Sequence, residues 1–279
     1  MKKLLIRALT GAAYVAVVVF CTVFSPWTLE FLILLLTTVA VSEFLTIQSD
    51  GAGRRINKVV ILIGSLFLPL AVFAQAYLAQ ADIFLLLVPY LVFVVSLFAT
   101  ELFADNADPT GNLALAMLSQ GYIVLPLSLM SVLAFGSFSA VQQGRSFYIL
   151  PLAVLFFVWC NDTGAYLVGS LLGRRKLMPR VSPGKTWEGS LGGAVLTMLL
   201  AVLLWRCWPV MNVFRWMGLA LVVVVFGTFG DLTESLMKRK LGIKDSGTLL
   251  PGHGGILDRI DSLLLAVPSA VVYLYACGL

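Results

Sequence analysis

The sequence predicts an all-α, polytopic integral membrane protein with about nine transmembrane helices. Three observations carry that expectation. Of its 279 residues, 60% are hydrophobic and only 12% are charged, whereas a soluble domain carries about a quarter charged residues. The apolar residues fall in long runs, and a spanning helix needs about 20 of them. The Lys and Arg residues lie between those runs and favour alternate loops, as the positive-inside rule requires.

The spans are read at 9–24, 28–47, 59–78, 83–103, 113–135, 147–171, 191–208, 216–229 and 262–277, with the short eighth able to begin near residue 213. Pro69, Pro89, Pro126 and Pro151 lie inside these runs, and prolines are tolerated in transmembrane helices. Met1-Lys2-Lys3 before an apolar run imitates a secretory signal. No small-x-small cleavage site follows, so the segment is read as a retained first helix. Cys21, Cys160, Cys207 and Cys277 show neither metal-ligand nor redox-motif spacing and read as small hydrophobes. No repeat, low-complexity tract or long linker marks off a soluble domain.

Orientation follows from the basic residues. Lys2, Lys3 and Arg7; Arg54, Arg55 and Lys58; Arg174, Arg175, Lys176, Arg180 and Lys185; and Lys238, Arg239, Lys240, Lys244 and Arg259 all fall on one side, sixteen of the 19 cationic residues. Arg145, Arg206 and Arg215 fall on the other. This predicts a cytoplasmic N-terminus, cytoplasmic basic loops and a C-terminus on the opposite side. The net charge of +5 is then topology plus whatever anion the last two basic loops handle, and nucleic acid is not needed to explain it. Loop 104–112 carries only Asp105 and Asp108, read as solvated charges. Glu30 is expected at the outer interface, and Glu43 and Glu101 within reach of the inner one. Asp162 lies deepest, and a carboxylate there must face a polar cavity or a partner.

Two loops carry the polar chemistry. In Ser182-Pro183-Gly184-Lys185-Thr186, the Gly-Lys-Thr triplet superficially resembles a nucleotide phosphate loop. The upstream glycine spacing and the preceding strand are missing, so that reading is rejected. A small-residue turn presenting Lys185 is expected instead, beside a helix starting near Glu188, where exposed N–H groups favour an anion. Arg174, Arg175 and Lys176 read as anchors for lipid head groups. Residues 230–261 hold five of the 14 carboxylates, five of the 19 cationic side chains and the single histidine. Asp231, Glu234, Ser235 and Lys238 recur at helical spacing and share a face. Five glycines from Gly242 to Gly255, with Pro251, break regular structure. Asp258 and Asp261, three residues apart, point the same way on a helix. With Asp231 they form a hard-oxygen set suited to Mg²⁺, which binds through one or two carboxylates plus phosphate oxygens. Lys238, Arg239 and Lys244 would neutralise those phosphates, and His253 reads as a donor to phosphate rather than a metal ligand. On residues alone, a phosphate-handling metal site, an ion-coupled transport site and a structural salt-bridge loop all stay open.

Ser235-x-x-Lys238-Arg239, Lys244-Asp245-x-Gly247, Pro251-x-His253-Gly254-Gly255 and Asp258-Arg259-x-Asp261 together resemble the signature of the phosphatidate cytidylyltransferases, or CDP-diacylglycerol synthases. Asn161-Asp162-Thr163-x-Ala165-Tyr166 and Ser182-Pro183-x-Lys185-Thr186-x-Glu188-Gly189 resemble other segments shared by that family. The likeness covers the C-terminal half; residues 1–145 match only as generic spans. It implies Mg²⁺-dependent conversion of CTP and phosphatidic acid to CDP-diacylglycerol and pyrophosphate, at the cytoplasmic leaflet of a bacterial inner membrane, by a protein that is commonly a homodimer. It implies catalytic roles for Asp231, Lys238, Asp258 and Asp261, and metal binding by Asp231, Asp258 and Asp261, with Asp162 assisting a second cation such as K⁺. Lys185, Ser182, Thr186, Arg239, Lys244, His253, Arg259 and Asn161 are then expected to contact substrate. Residues 1–145 are expected to supply lipid-embedding spans and dimer contacts, and residues 146–279 the catalytic region. The rivals are another CTP-using membrane enzyme, such as a polyprenol kinase, and a secondary transporter using Asp162, Glu43 and Glu101. Transporters usually show paired broken helices in two related halves, and no such repeat is visible.

Overall fold

The computed structural model describes residues 2–52, 56–78, 82–104, 106–136, 147–247, 249 and 254–278. Arg54, Arg55, Asp105, Arg145, Pro251 and His253 lie outside the described residues, as do the side chains of Lys2, Lys3 and Arg7. Among those described, the chain is helical throughout except for one hairpin. Its elements are α1 (Lys2–Phe24), α2 (Pro26–Ala52), α3 (Lys58–Gly64), α4 (Phe67–Leu78), α5 (Ile83–Phe103), α6 (Pro109–Ser119), α7 (Leu125–Phe135) and α8 (Ile149–Leu172). Then come β1 (Lys176–Met178), β2 (Ser182–Thr186), α9 (Trp187–Cys207), α10 (Val213–Lys240) and α11 (Leu257–Ala276).

Eight segments among the described residues are long and apolar enough to cross a membrane, with Leu9–Phe24 a shorter apolar helix ahead of them. The chain is a multi-pass membrane protein, and the segments follow the nine expected runs. The eighth run extends well past its expected end at residue 229, because α10 continues to Lys240. Its last turns are held by side-chain pairs four residues apart, which lie next to each other on a helix surface.

The third and fifth spans are each interrupted at a proline. Pro69 has no N–H for the carbonyl of Ser65, and the span divides there into α3 and α4. Pro126 has none for Tyr122, and residues Gln120–Val124 form a π-helical turn in which Leu125 N bonds Gln120 O. Gln120 joins the two interruptions, its Nε2 donating to Ser65 Oγ at 3.0 Å and to Ser119 Oγ at 3.2 Å.

Backbone contacts separate the chain into two compact units, Met1–Gly136 with Asp245–Arg259, and Ser137–Lys244 with Ile260–Leu279. In the first, α4 packs mainly on α7 and α5, and α1 on α2. Leu29, Ile33, Phe44, Leu45, Ile123 and Leu133 are fully buried. Glu30, expected at the interface, is only 3% exposed and accepts a hydrogen bond from Ser131 Oγ at 3.0 Å. The correction has a local cause: α2 begins at Pro26, so Glu30 lies a full turn inside a helix that packs on α7.

In the second unit, α8 packs most extensively on α9. Glycines let the two backbones approach: a Cβ at Gly164 would stand 3.0 Å from Gly193 Cα, and one at Gly189 would stand 3.0 Å from Gly169 Cα. Small residues serve helix contacts in this way inside membranes, where the hydrophobic effect no longer drives association. Phe157 of α8 meets Trp216 of α10 edge to face, at 6.2 Å between ring centroids. Gly230 of α10 brings that helix against the stretch of α11 beginning at Asp261. A Cβ at Gly230 would lie 2.5 Å from the carbonyl oxygen of Asp261. Gly230→Ala should therefore lower the thermal unfolding midpoint in detergent, by the equivalent of about 1–3 kcal/mol of overpacking. Gly121→Ala, with nothing within 4 Å of its Cβ, should not lower it.

Candidate active site

Residues 182–186, read as a turn from their small side chains, form the second arm of a hairpin. Strands β1 and β2 run antiparallel, pairing Lys176 with Thr186 and Met178 with Ser182, with an irregularity between them. Pro183 does not forbid this, because a two-stranded ribbon consists of edges, where a missing donor is tolerated. Thr186 closes the strand and opens α9, its hydroxyl accepting from Gly189 N at 3.1 Å. Glu188, in the first turn, accepts from Arg174 N at 3.0 Å and from Arg175 N at 3.1 Å. Trp187 N adds a bond to Arg175 O at 2.9 Å. The root of the hairpin is thus tied to the start of α9 by Glu188, which the sequence marks as a helix start but not as a partner of Arg174 and Arg175.

Successive strand residues point to opposite faces, so Thr186 is buried while Lys185 reaches the other way. Lys185 Nζ meets Asp231 Oδ2 of α10 at 2.5 Å, with about a quarter of each side chain exposed. Asp231 Oδ1 accepts from Ser235 Oγ at 3.2 Å. A turn further on, Glu234 and Lys238 form a buried pair at 2.8 Å, 1% and 8% exposed. Lys238, expected to face substrate phosphate, is thus engaged by Glu234. Arg239 holds backbone: its Nε donates to Val181 O at 3.4 Å and an Nη to Ile243 O at 3.1 Å. The hairpin is therefore fastened to α10 at its turn by Arg239 and along its arm by Lys185.

Asp261, near the start of α11, is half-buried, and its Oδ1 accepts from Ser262 N at 2.6 Å. Its charged neighbours are Asp231, Glu234 and Asp162. Carboxylates concentrated this way repel unless cations stand among them, and the Lys185 ammonium supplies one. Asn161 of α8 is 7% exposed and lies against Gly193. Its Oδ1 has no hydrogen-bond partner among the described residues. Ser182 is half-buried, and Lys244 is exposed.

The first unit holds the other half of the expected set. Asp258 accepts from Ser246 N at 2.9 Å and from Gly255 N at 2.9 Å, and so anchors the glycine-rich loop. Gly254, in between, adopts φ +83°, a conformation that glycine takes without strain. Glu43, from α2, accepts from Ile256 N at 3.1 Å and Leu257 N at 2.9 Å. Glu43, expected within reach of the inner interface, takes partners about two hundred residues away in the chain. Glu101 is held by the side-chain amides of Asn106 at 2.9 Å and Asn112 at 3.2 Å. Arg259 is exposed, and His253 lies outside the described residues.

Of the expected metal ligands, Asp231 and Asp162 both act on Asp261 within the second unit. Asp258 is described with its loop. Among the described residues, no three His, Cys, Asp or Glu side chains are grouped closely enough to enclose an ion alone. The donors nevertheless suit Mg²⁺, which keeps water and completes its shell with phosphate oxygens.

Over residues 5–277 the sequence matches the cytidylyltransferase family. The chain belongs to this family. Among its relatives is a phosphatidate cytidylyltransferase of Pseudomonas aeruginosa, 54% identical over 146 residues, which are 46% of this chain and 48% of the relative. A phosphatidate cytidylyltransferase of Haemophilus influenzae is 47% identical over 124 residues, 43% of each chain. One of Staphylococcus aureus is 48% identical over 119 residues, 42% of this chain and 45% of the relative. The chain thus spans less than half the length of the curated relatives it matches. Within the family frame, the hairpin and the acidic face of α10 form the polar centre of the second unit. Thr186→Val should cost about 1 kcal/mol through loss of the helix cap, read as a lower unfolding midpoint in detergent, whereas Thr186→Ser should retain it.

Proposed function

We propose that this cytidylyltransferase-family protein is a phosphatidate cytidylyltransferase, joining CTP and phosphatidate into CDP-diacylglycerol with release of pyrophosphate. The observation that carries this reading is the Lys185–Asp231 pair beside Asp261 and Asp162, in a membrane protein of a cytidylyltransferase family. The relatives' names supply the lipid substrate.

The phosphate of phosphatidate is already ionised near neutral pH and serves as nucleophile. One of its oxygens bonds to the α-phosphorus of CTP as the bond from that phosphorus to the bridging oxygen breaks. The electron pair departs on pyrophosphate, and no proton need move. The difficulty is repulsion between two anions, so catalysis rests on positioning and charge neutralisation.

Mg²⁺, when bound, would supply Lewis-acid charge to the phosphate oxygens. Asp231 and Asp261 are proposed to hold it, with Asp258 from the signature, and Asp162 to help hold a second cation such as K⁺. Lys185 and Lys244 are assigned to phosphate. Lys185, on a hairpin arm, is the cation best placed to exchange a carboxylate for a phosphate oxygen. Lys238, paired with Glu234, is assigned to setting the charge of the acidic face. Arg239 fixes the hairpin turn beside Ser182. Thr186, Asn161, His253 and Arg259 complete the assigned substrate contacts.

The acyl chains stay in the bilayer while the head group reacts at its cytoplasmic face, with the N-terminus on that side and the C-terminus opposite. A homodimer with contacts through residues 1–145 completes the proposal. The test is product analysis with CTP labelled in the cytosine ring, the purified full chain and phosphatidate in mixed micelles. Labelled lipid that forms with Mg²⁺ and is abolished by EDTA is expected; transfer of the γ-phosphate alone would overturn the reading. Asp261→Asn should lower kcat roughly 100- to 1,000-fold without lowering the unfolding midpoint. Lys185→Ala should lower kcat/KM for CTP by roughly 10- to 100-fold, the loss of a hydrogen bond between charged groups.

A further inference from the structure

We infer that Glu43, two hundred residues away in sequence, is the positioning residue for the two ends of the signature loop, at Ser246 and at Ile256 and Leu257. A carboxylate inside an apolar helix is costly without a partner. The partners of Glu43 are the first backbone donors of a helix. Ile256 N and Leu257 N lie at the start of α11, and they donate to its two oxygens at 3.1 and 2.9 Å. Such N–H groups have no acceptor within their own helix, and the helix dipole favours an anion there.

The same carboxylate reaches the other end of the loop. Ser246 Oγ donates to Glu43 Oε2 at 3.4 Å, while Ser246 N donates to Asp258 at 2.9 Å. Asp258 in turn accepts from Gly255 N at 2.9 Å. Two carboxylates, one from α2 and one from α11, thus pin Ser246 on one side of the signature loop and Gly255, Ile256 and Leu257 on the other. The loop backbone wraps Glu43 closely. A Cβ at Gly247 would stand 2.8 Å from Glu43 Oε1, and one at Gly255 would come closer still to Oε2. Glycine at both positions is therefore a condition of this grip. What the loop does rests on the proposed cytidylyl transfer; how it is held does not.

Glu43→Gln keeps the size of the side chain but replaces one acceptor with a donor, which must face a backbone N–H. The experiment compares Glu43→Gln and Glu43→Ala with the unsubstituted full chain in detergent. It measures hydrogen exchange by mass spectrometry together with kcat and KM for CTP and phosphatidate. Expected for Glu43→Gln is exchange at least roughly tenfold faster in peptides covering 245–257, with α5 and α7 as protected as before. A fall in kcat of roughly 10- to 100-fold, the scale set by a misplaced group, should accompany it, and KM for phosphatidate should be unchanged. Unaltered loop exchange and kcat in both variants would overturn the inference. So would protection lost throughout the chain in step with the loop, which is the mark of a merely structural residue. If the unsubstituted protein makes no CDP-diacylglycerol, the proposed function fails, and loop exchange alone still decides the role of Glu43.

Discussion

Between the hairpin arm and the exit of α10, the ammonium of Lys185 sits 2.5 Å from a carboxylate oxygen of Asp231. Around that contact the chain gathers Asp261, Glu234 and Asp162, a density of negative charge that water would ordinarily dilute. Such charge in an apolar protein is costly unless cations or fixed donors offset it. The surrounding structure supplies part of that offset piece by piece. Ser235 takes one oxygen of Asp231, Lys238 takes Glu234, and the backbone of Ser262 takes Asp261. The helices bring these groups together because Gly230 and the glycines of α8 and α9 let backbones touch.

Much of this could be read from the sequence, because it depends on short spacings. The spans announce themselves by apolar length, and the face made by Asp231, Ser235, Glu234 and Lys238 follows from helical periodicity. The start of α9, expected near Glu188, lies at Trp187. The hairpin was hidden because Pro and Gly are turn signals in isolation, and only pairing with β1 reveals Ser182–Thr186 as a strand. The exit of α10 was blurred because polar residues end an apolar run without ending a helix.

What could not be read was long-range. Nothing near Glu43 names Ser246, Ile256 or Leu257 as its partners, and nothing near Glu30 names Ser131. Lys238 is the exception, since its partner Glu234 stands only four residues before it on the same helical face; there the spacing is legible and the choice of carboxylate over phosphate is not. Charge type and spacing identify which residues matter. Which carboxylate serves a cation and which serves the backbone depends on donors supplied by distant chain.

The link from Gln120 to Ser65 joins the two interrupted spans at the places where each lacks a helical bond. Each interruption alone would be a swivel. Tied through one amide and packed against each other through α4 and α7, the two form a shared elbow within the N-terminal helices.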